Sequence, residues 1–272
     1  MLRVLPYAPG VPAPPVANPD VPWQLVHEWP DMVCAMKPAG VVTQPGVGHA
    51  SDALLNGLMG RYRTRMERLG AARDWGLLHR LDRETSGCVL CALDATAYDS
   101  VRAQFAARTV HKMYVAVVSG KLPSLAGRTD QPLDEVRRGD MKVSAIARRG
   151  EPAITHWMTL ASSGTTSLVA VAIETGKLHQ IRAHMAWLGA PIAGDRVYRS
   201  LLPPNTSKPP RGAAPTLLLH AWRISCVLPS AGGPVVAEAP PSPRFMDALR
   251  ERLEMGDDAV ERALGRAREW AP

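Results

Sequence analysis

Three short segments concentrate side chains that can do acid–base or electrostatic chemistry. His79-Arg80-Leu81-Asp82 sets a carboxylate two residues after a guanidinium, between the apolar pair Leu77-Leu78 and the apolar run 88–93. An Asp in such a place is either a turn residue or an ionised carboxylate at the floor of a cleft. Lys112-Met113-Tyr114 opens a second apolar run. A tyrosine in a strand is either core or a ring on which a base can stack. Glu174-Thr-Gly-Lys-Leu-His-Gln-Ile-Arg-Ala-His184 carries Lys177, His179, Arg182 and His184. If that stretch is helical, His179 and Arg182 share a face. Its histidines are not spaced as H-E-x-x-H and hold no carboxylate between them, so structural histidines are expected and no metal. Cys88 and Cys91 form a C-x-x-C, but inside an apolar run and without a second pair. With Cys34 and Cys226 they read as buried apolar thiols of a reduced compartment.

The elements that must position these groups come from an ordinary globular composition. The chain has 272 residues, a hydrophobic fraction of 46% and only two Phe, so its core rests on Leu, Val, Ala, Met and a few Trp. The net charge is +7, mostly as arginine, whose planar fork suits phosphate. No segment has the roughly 18 consecutive apolar residues of a membrane span, and the N-terminus lacks a signal-peptide core. A cytoplasmic protein with no membrane partner is expected.

Residues 1–20 are proline-rich and read as an extended arm, disordered or laid along the surface. Met32–Met36 is a short buried strand, and Lys37-Pro-Ala-Gly40 a turn. The pattern predicts a helix over 51–70 started by Ser51 or Asp52, a strand over 88–93, a helix over 95–108 and a strand over 109–119. Strand 109–119 puts Lys112, Tyr114, Ala116 and Val118 on one face. The stretch 123–151 is polar, with Arg137, Arg138, Lys142, Arg148 and Arg149. Two strands, 153–160 and 166–174, form a hairpin, followed by a helix over 176–188 that Gly189 ends and Pro191 cannot continue. A proline-rich loop at 200–215 precedes a strand over 216–228. The tail from Pro243 is charged and helical in pattern, with a break near Gly256. Strands outnumber helices without alternating with them. An α+β fold is therefore expected, with a large mixed or antiparallel central sheet flanked by helices and loops. The expected division is an arm (1–20), a catalytic domain (21–245) and a charged helical tail (246–272).

Taken in order, these segments resemble a known family. H-R-L-D-R-E-T-S-G at 79–87, running into an apolar strand, is similar to the catalytic motif of the RluA family of pseudouridine synthases. Lys37-Pro-Ala-Gly40 resembles its N-K-P-x-G, and Lys112-Met-Tyr114-Val-Ala its K-x-Y-x-A. Thr175-Gly-Lys-Leu-His-Gln-Ile-Arg182-Ala-His184 resembles its T-G-R-x-H-Q-I-R-x-H. Pro191-Ile-Ala-Gly-Asp-Arg-Val-Tyr198 and Leu217-Leu-Leu-His220-Ala221 resemble its two closing signatures. The resemblance covers about 28 to 245. Met36, Gln44 and Leu178 depart from the family's usual Asn, His and small hydroxyl residue. Too few residues precede the first motif for the family's S4 RNA-binding domain.

The resemblance implies a pseudouridine synthase fold and isomerisation of uridine in structured RNA, ribosomal or transfer, without cofactor or metal. It assigns Asp82 as the essential carboxylate, either attacking C1′ or taking the 2′ proton. Arg182 is its basic partner. Tyr114 stacks on uracil and is a candidate base for the C5 proton. Arg80 either fills the space of the flipped base or pairs with phosphate or carboxylate. His79, Lys112, Lys177 and His179 are expected to contact RNA. Arg137 and Arg138 belong to a basic cluster that is either an RNA-gripping hairpin or a solvated face. A monomer is expected. The competing readings are a non-catalytic RNA-binding or RNA-chaperone protein on the same fold, and a carboxylate hydrolase using Asp82 and Glu84. The second lacks a fixed carboxyl separation and a sugar-binding aromatic cluster.

Overall fold

Alternating apolar residues build a mixed nine-stranded sheet whose two faces are covered by different helices. The computed structural model describes residues 13–199, 216–270 and 272. The first twelve residues of the proline-rich arm and the loop expected at 200–215 lie outside the described residues. The strands are β1 (Gln24–Glu28), β2 (Met32–Lys37), β3 (Ser86–Ala92), β4 (His111–Ser119), β5 (Ala126–Thr129), β6 (Leu133–Arg138), β7 (Met141–Ile146), β8 (Thr155–Ser163), β9 (Thr166–Ile173), β10 (Leu219–Leu228) and β11 (Gly233–Glu238). The helices are α1 (Leu54–Leu69), α2 (Ala95–Ala107), α3 (Gln180–Trp187), α4 (Arg196–Arg199), α5 (Pro243–Leu253) and α6 (Asp257–Glu269).

The sheet runs β1-β2-β3-β10-β4-β9-β8-β5, with β11 also on β10, and β6-β7 forms a separate two-stranded ribbon. Among the described strands only β3 and β10 pair in parallel. This is the α+β class expected. Successive residues of each strand point to opposite faces. Val89, Cys91, Tyr114, Ala116 and Val118 therefore meet α1 and α3 on one face. On the other, Cys88, Leu90 and Ala92 meet α2, while Val115, Val117, Leu168 and Trp222 meet α5 and α6. Each fully buried Leu or Val here contributes roughly 1.5–3 kcal/mol.

The β8–β9 hairpin, β4 and α2 fall where the pattern put them, and α2 is capped by the Asp94 carboxylate accepting Ala97 N–H at 2.9 Å. Two helix starts differ. α1 begins at Leu54, not after Ser51 or Asp52. Asp52 instead holds His49 at 2.8 Å, and Asn56 Oδ1 accepts the Ala53 N–H at 3.0 Å. α3 begins at Gln180, not at 176, because His179 is in the left-handed region (φ 49°) and the Gln180 side chain accepts the Lys177 N–H at 3.1 Å. His179 and Arg182 are thus not on one helical face. The polar stretch 123–151 holds three strands, β5 to β7, and β1 and β11 were not anticipated. β1 is almost wholly exposed, so it shows no alternation to read. The tail forms α5 and α6, with Glu254 left-handed at the end of one and Gly256 capping the other. α5 spans residue 245, and both helices are packed into the sheet. Of the arm, Val16 and Asn18 are tied to Asn56, so this part lies along the start of α1.

Candidate active site

One cross-strand row sets the floor of the site. Lys37 on β2 pairs with Gly87 on β3, Gly87 with Ala221 on β10, and Ala221 with Tyr114 on β4. Gly87 has φ 124°, and a Cβ there would run into the Ala221 carbonyl, so only glycine lets β3 and β10 close at this point. The row brings the end of the 79–85 loop beside Tyr114. Both open into a cleft of about 1010 Å³.

The loop carrying Asp82 is clamped by the chain just after β2. Thr43 Oγ1 donates to Leu81 O at 2.8 Å and accepts Leu81 N–H at 3.1 Å. Gly40 N–H donates to Arg83 O, and Arg83 Nε returns a bond to Gly40 O at 3.0 Å. Lys37 is fully buried, and its Nζ donates to the carbonyls of Pro38, Val41 and Arg83 at 2.9, 2.7 and 3.1 Å. Burial pushes this ammonium down to about 7, while Asp82 and Glu84 pull the other way.

Asp82 stands partly exposed in the cleft and Arg182 is buried behind it, with Nη1 donating to Asp82 Oδ2 at 3.2 Å. The rest of the guanidinium fork grips Asp195, through Nε to Oδ2 at 2.7 Å and Nη2 to Oδ1 at 3.1 Å. Asp195 Oδ1 also accepts the N–H groups of Val197 and Tyr198, each at 3.0 Å, so the carboxylate is itself fixed by α4. Burial works against the charge of Arg182, but Asp195 and Asp82 together outweigh it and hold its pKa above the usual value. His179 Nε2 lies 3.7 Å from the same Asp82 oxygen. Among the described residues no donor meets Asp82 Oδ1. Tyr114 is buried, and burial first, then the Asp82 charge, pushes its phenol well above its usual pKa.

Of the residues expected to act, Asp82, Tyr114, His179, Lys177, Lys112, Arg80 and His79 all line the cleft. Arg182 reaches it only through Asp82. His79 is structural. Its Nε2 accepts Leu90 N–H at 3.0 Å, and burial pushes it down to about 3, so that nitrogen offers nothing to RNA. Lys112 sits over the Phe105 ring, and burial, then Arg108, lowers it to about 8. Lys177 pairs with Glu151 at 3.2 Å. Arg137 and Arg138 are exposed near the tip of the β6–β7 ribbon and do not line the cleft, although Glu135 of the same ribbon does. Sequence reasoning did not assign Lys37, Thr43, Asp195 or Tyr198 to the site. Asp195 and Tyr198 lie inside one of the closing signatures, where a Gly-Asp before a short helix was the available signal.

His184 is structural, as expected. It is fully buried between Thr155 Oγ1 and Gln131 O at 2.8 and 2.9 Å. The four cysteines are free and buried. No group of three or more His, Cys, Asp or Glu among the described residues is arranged to hold a metal ion. No helix there is long and apolar enough to cross a membrane.

Residues 31–187 match the family described as RNA pseudouridylate synthase. The chain is 36% identical over 245 residues to the ribosomal large subunit pseudouridine synthase D of Xanthomonas campestris pv. campestris, covering 85% of this chain and 71% of that protein. It is 32% identical over 247 residues to the protein of that description from Nitrosomonas europaea, covering 90% and 69%. In fold it is similar to human RNA pseudouridylate synthase domain containing 4, with a TM-score of 0.64 at 23% identity over 85% of this chain and 93% of that one.

Proposed function

The chain belongs to the RNA pseudouridylate synthase family and is an enzyme isomerising uridine to pseudouridine in RNA; from that premise we propose that Asp82 is its catalytic carboxylate and large-subunit ribosomal RNA its substrate. The choice of ribosomal RNA rests on the names of the relatives, and the charge of the cleft supports RNA in general. Arg80, Arg102, Arg108, Lys112 and Lys177 line it. A basic, open cleft suits a phosphate backbone with one base turned inward, and extruding that base costs a few kcal/mol.

The observation carrying the assignment of Asp82 is the asymmetry of its carboxylate. Oδ2 is held by Arg182 while Oδ1 has no donor among the described residues, which leaves one oxygen for the sugar. In the reaction the N1–C1′ bond breaks, the C5–C1′ bond forms, and the C5 proton is lost to solvent as N1 gains one. A carboxylate serves either at C1′ or at the 2′ proton. Both uses consume the Asp82 charge. That charge is restored when the C5–C1′ bond forms, before the C5 proton leaves, so its loss does not ease ionisation of Tyr114, whose part in removing that proton is tested by Tyr114→Phe.

The test uses ribosomal RNA carrying tritium at C5 of uridine. Wild type should release tritium and Asp82→Asn should release none while still binding RNA. Tyr114→Phe should cut tritium release selectively. Full activity of Asp82→Asn would overturn the assignment. Modification of transfer RNA but not ribosomal RNA would overturn the substrate.

A further inference from the structure

His179 occupies a backbone conformation that bulky side chains avoid, and both of its ring nitrogens face a polar partner. The Ser144 backbone N–H, which can only donate, gives its proton to the Tyr198 hydroxyl at 2.8 Å. That leaves the Tyr198 proton to be donated onward, and the atom it meets is His179 Nδ1 at 3.2 Å. With Nδ1 accepting, the single proton of a neutral imidazole must sit on Nε2. Nε2 faces Asp82 Oδ2 at 3.7 Å. The Tyr198 ring meets the imidazole edge-on, with centroids 5.7 Å apart at 83°, and lies 5.2 Å from the Arg182 guanidinium carbon.

We infer that Tyr198 is a positioning residue that holds His179 as its Nε2–H tautomer, so that His179 serves as a second donor, beside Arg182, to the carboxylate of Asp82. This rests on Asp82 being the catalytic carboxylate. At 3.7 Å the contact is longer than a hydrogen bond, as catalytic contacts often are before substrate closes the site. Burial lowers the His179 pKa, with Asp82 opposing it, so the neutral ring is favoured. Ser144 joins the relay to the β6–β7 ribbon, and its hydroxyl also donates to the Leu178 carbonyl beside His179.

The backbone supplies a discriminating test. At φ 49°, Asn is better tolerated than Gln. If His179 only fills that conformation, His179→Asn should be the more active variant. If the donor at Nε2 matters, the order reverses, because the Gln amide reaches the Nε2 position and the Asn amide reaches only Nδ1. The expected result is His179→Gln above His179→Asn in single-turnover rate, with both folded by circular dichroism. Tyr198→Phe keeps the ring and should slow single turnover roughly tenfold, the loss of one hydrogen bond near a charge, with RNA affinity unchanged.

Nitrogen-15 spectra of histidine-labelled full-length protein read the tautomer directly, with the His179 signals identified by their loss in His179→Gln. Wild type should show Nε2 protonated and Nδ1 bare, and Tyr198→Phe should lose that preference. A wild-type Nδ1–H tautomer, an unslowed Tyr198→Phe or a faster Asn variant would each overturn the inference. The spectra need no turnover, so they stand apart from any failure of Asp82 as the catalytic group.

Discussion

The floor around Asp82 and the β6–β7 ribbon are both rich in charge, yet they are built in opposite ways. On the floor, Lys37, Arg182 and Asp195 are buried and bound to several partners each. The ribbon carries Arg137 and Arg138 exposed, and is anchored at its base by a small cluster in which Leu133 and Val143 meet Ala183, Ala186 and Tyr198, and by the bonds from Ser144 to Tyr198 and Leu178. Burying a charge is costly unless it is fully paired, and pairing it fully fixes its position. The floor accepts that cost where atoms must be placed to within a fraction of an ångström. The ribbon keeps its arginines solvated, where they can follow an uneven backbone at little cost to folding.

Four changes would sharpen or break this contrast. The largest effect is expected from Arg182→Lys, because an ammonium cannot grip Asp195 with two parallel bonds and still reach Asp82. Single-turnover rate should fall about 100-fold, in the range seen when one preorganised donor is lost. Near-wild-type turnover would mean that positive charge alone suffices. Next, Lys37→Met leaves three carbonyls without their donor and should cost about 3 kcal/mol in urea unfolding. An unchanged midpoint would show that the clamp on the Asp82 loop is not structural.

Acid should strike the floor before the ribbon. His220 bridges Ser86 and the Ala239 carbonyl next to the Gly87 row, and burial lowers it from 6.5 to about 4. Below pH 6.5 the unfolded chain takes a proton that the folded chain refuses until about pH 4. The contribution of His220 is therefore complete above that window and falls through it by up to about 3 kcal/mol. His220→Gln should make the thermal-melting profile shallower across the same window, in which His79, lowered to about 3, also contributes, and an equally steep profile would assign the acid sensitivity to the other buried histidines. The smallest effect belongs to the ribbon. Arg137→Ala with Arg138→Ala should raise KM several-fold and lower the salt dependence of RNA binding by about two charges, with kcat unchanged. A fall in kcat instead would dissolve the distinction between the two regions.

Legibility followed the same line. β3, β4, α2 and the β8–β9 hairpin were readable because period and punctuation agree there. The 176–179 segment misled because its pattern continues a helix that the left-handed His179 and the Gln180 side chain stop. β1, almost wholly exposed, offers no alternation. In the site, Asp82, Tyr114 and Arg182 stood out because each sits in a polar motif beside an apolar element. Lys37 read as part of a turn and of one motif, and Asp195 and Tyr198 as parts of a signature, without a role in the site, because what they do depends on partners 46, 13 and 54 positions away.

Local order in the chain determined which side chains are present, the family they resemble and most of the elements that carry them. Tertiary structure alone decided the rest: that the spare face of Arg182 is taken by Asp195, that Lys37 is caged by carbonyls, and that Tyr198 leaves a particular nitrogen of His179 to bear the proton. Spacing along a chain encodes period and turn, which are short-range properties. Which lone pair meets which proton across a sheet is settled only when distant segments are packed and every buried polar group has to find a partner.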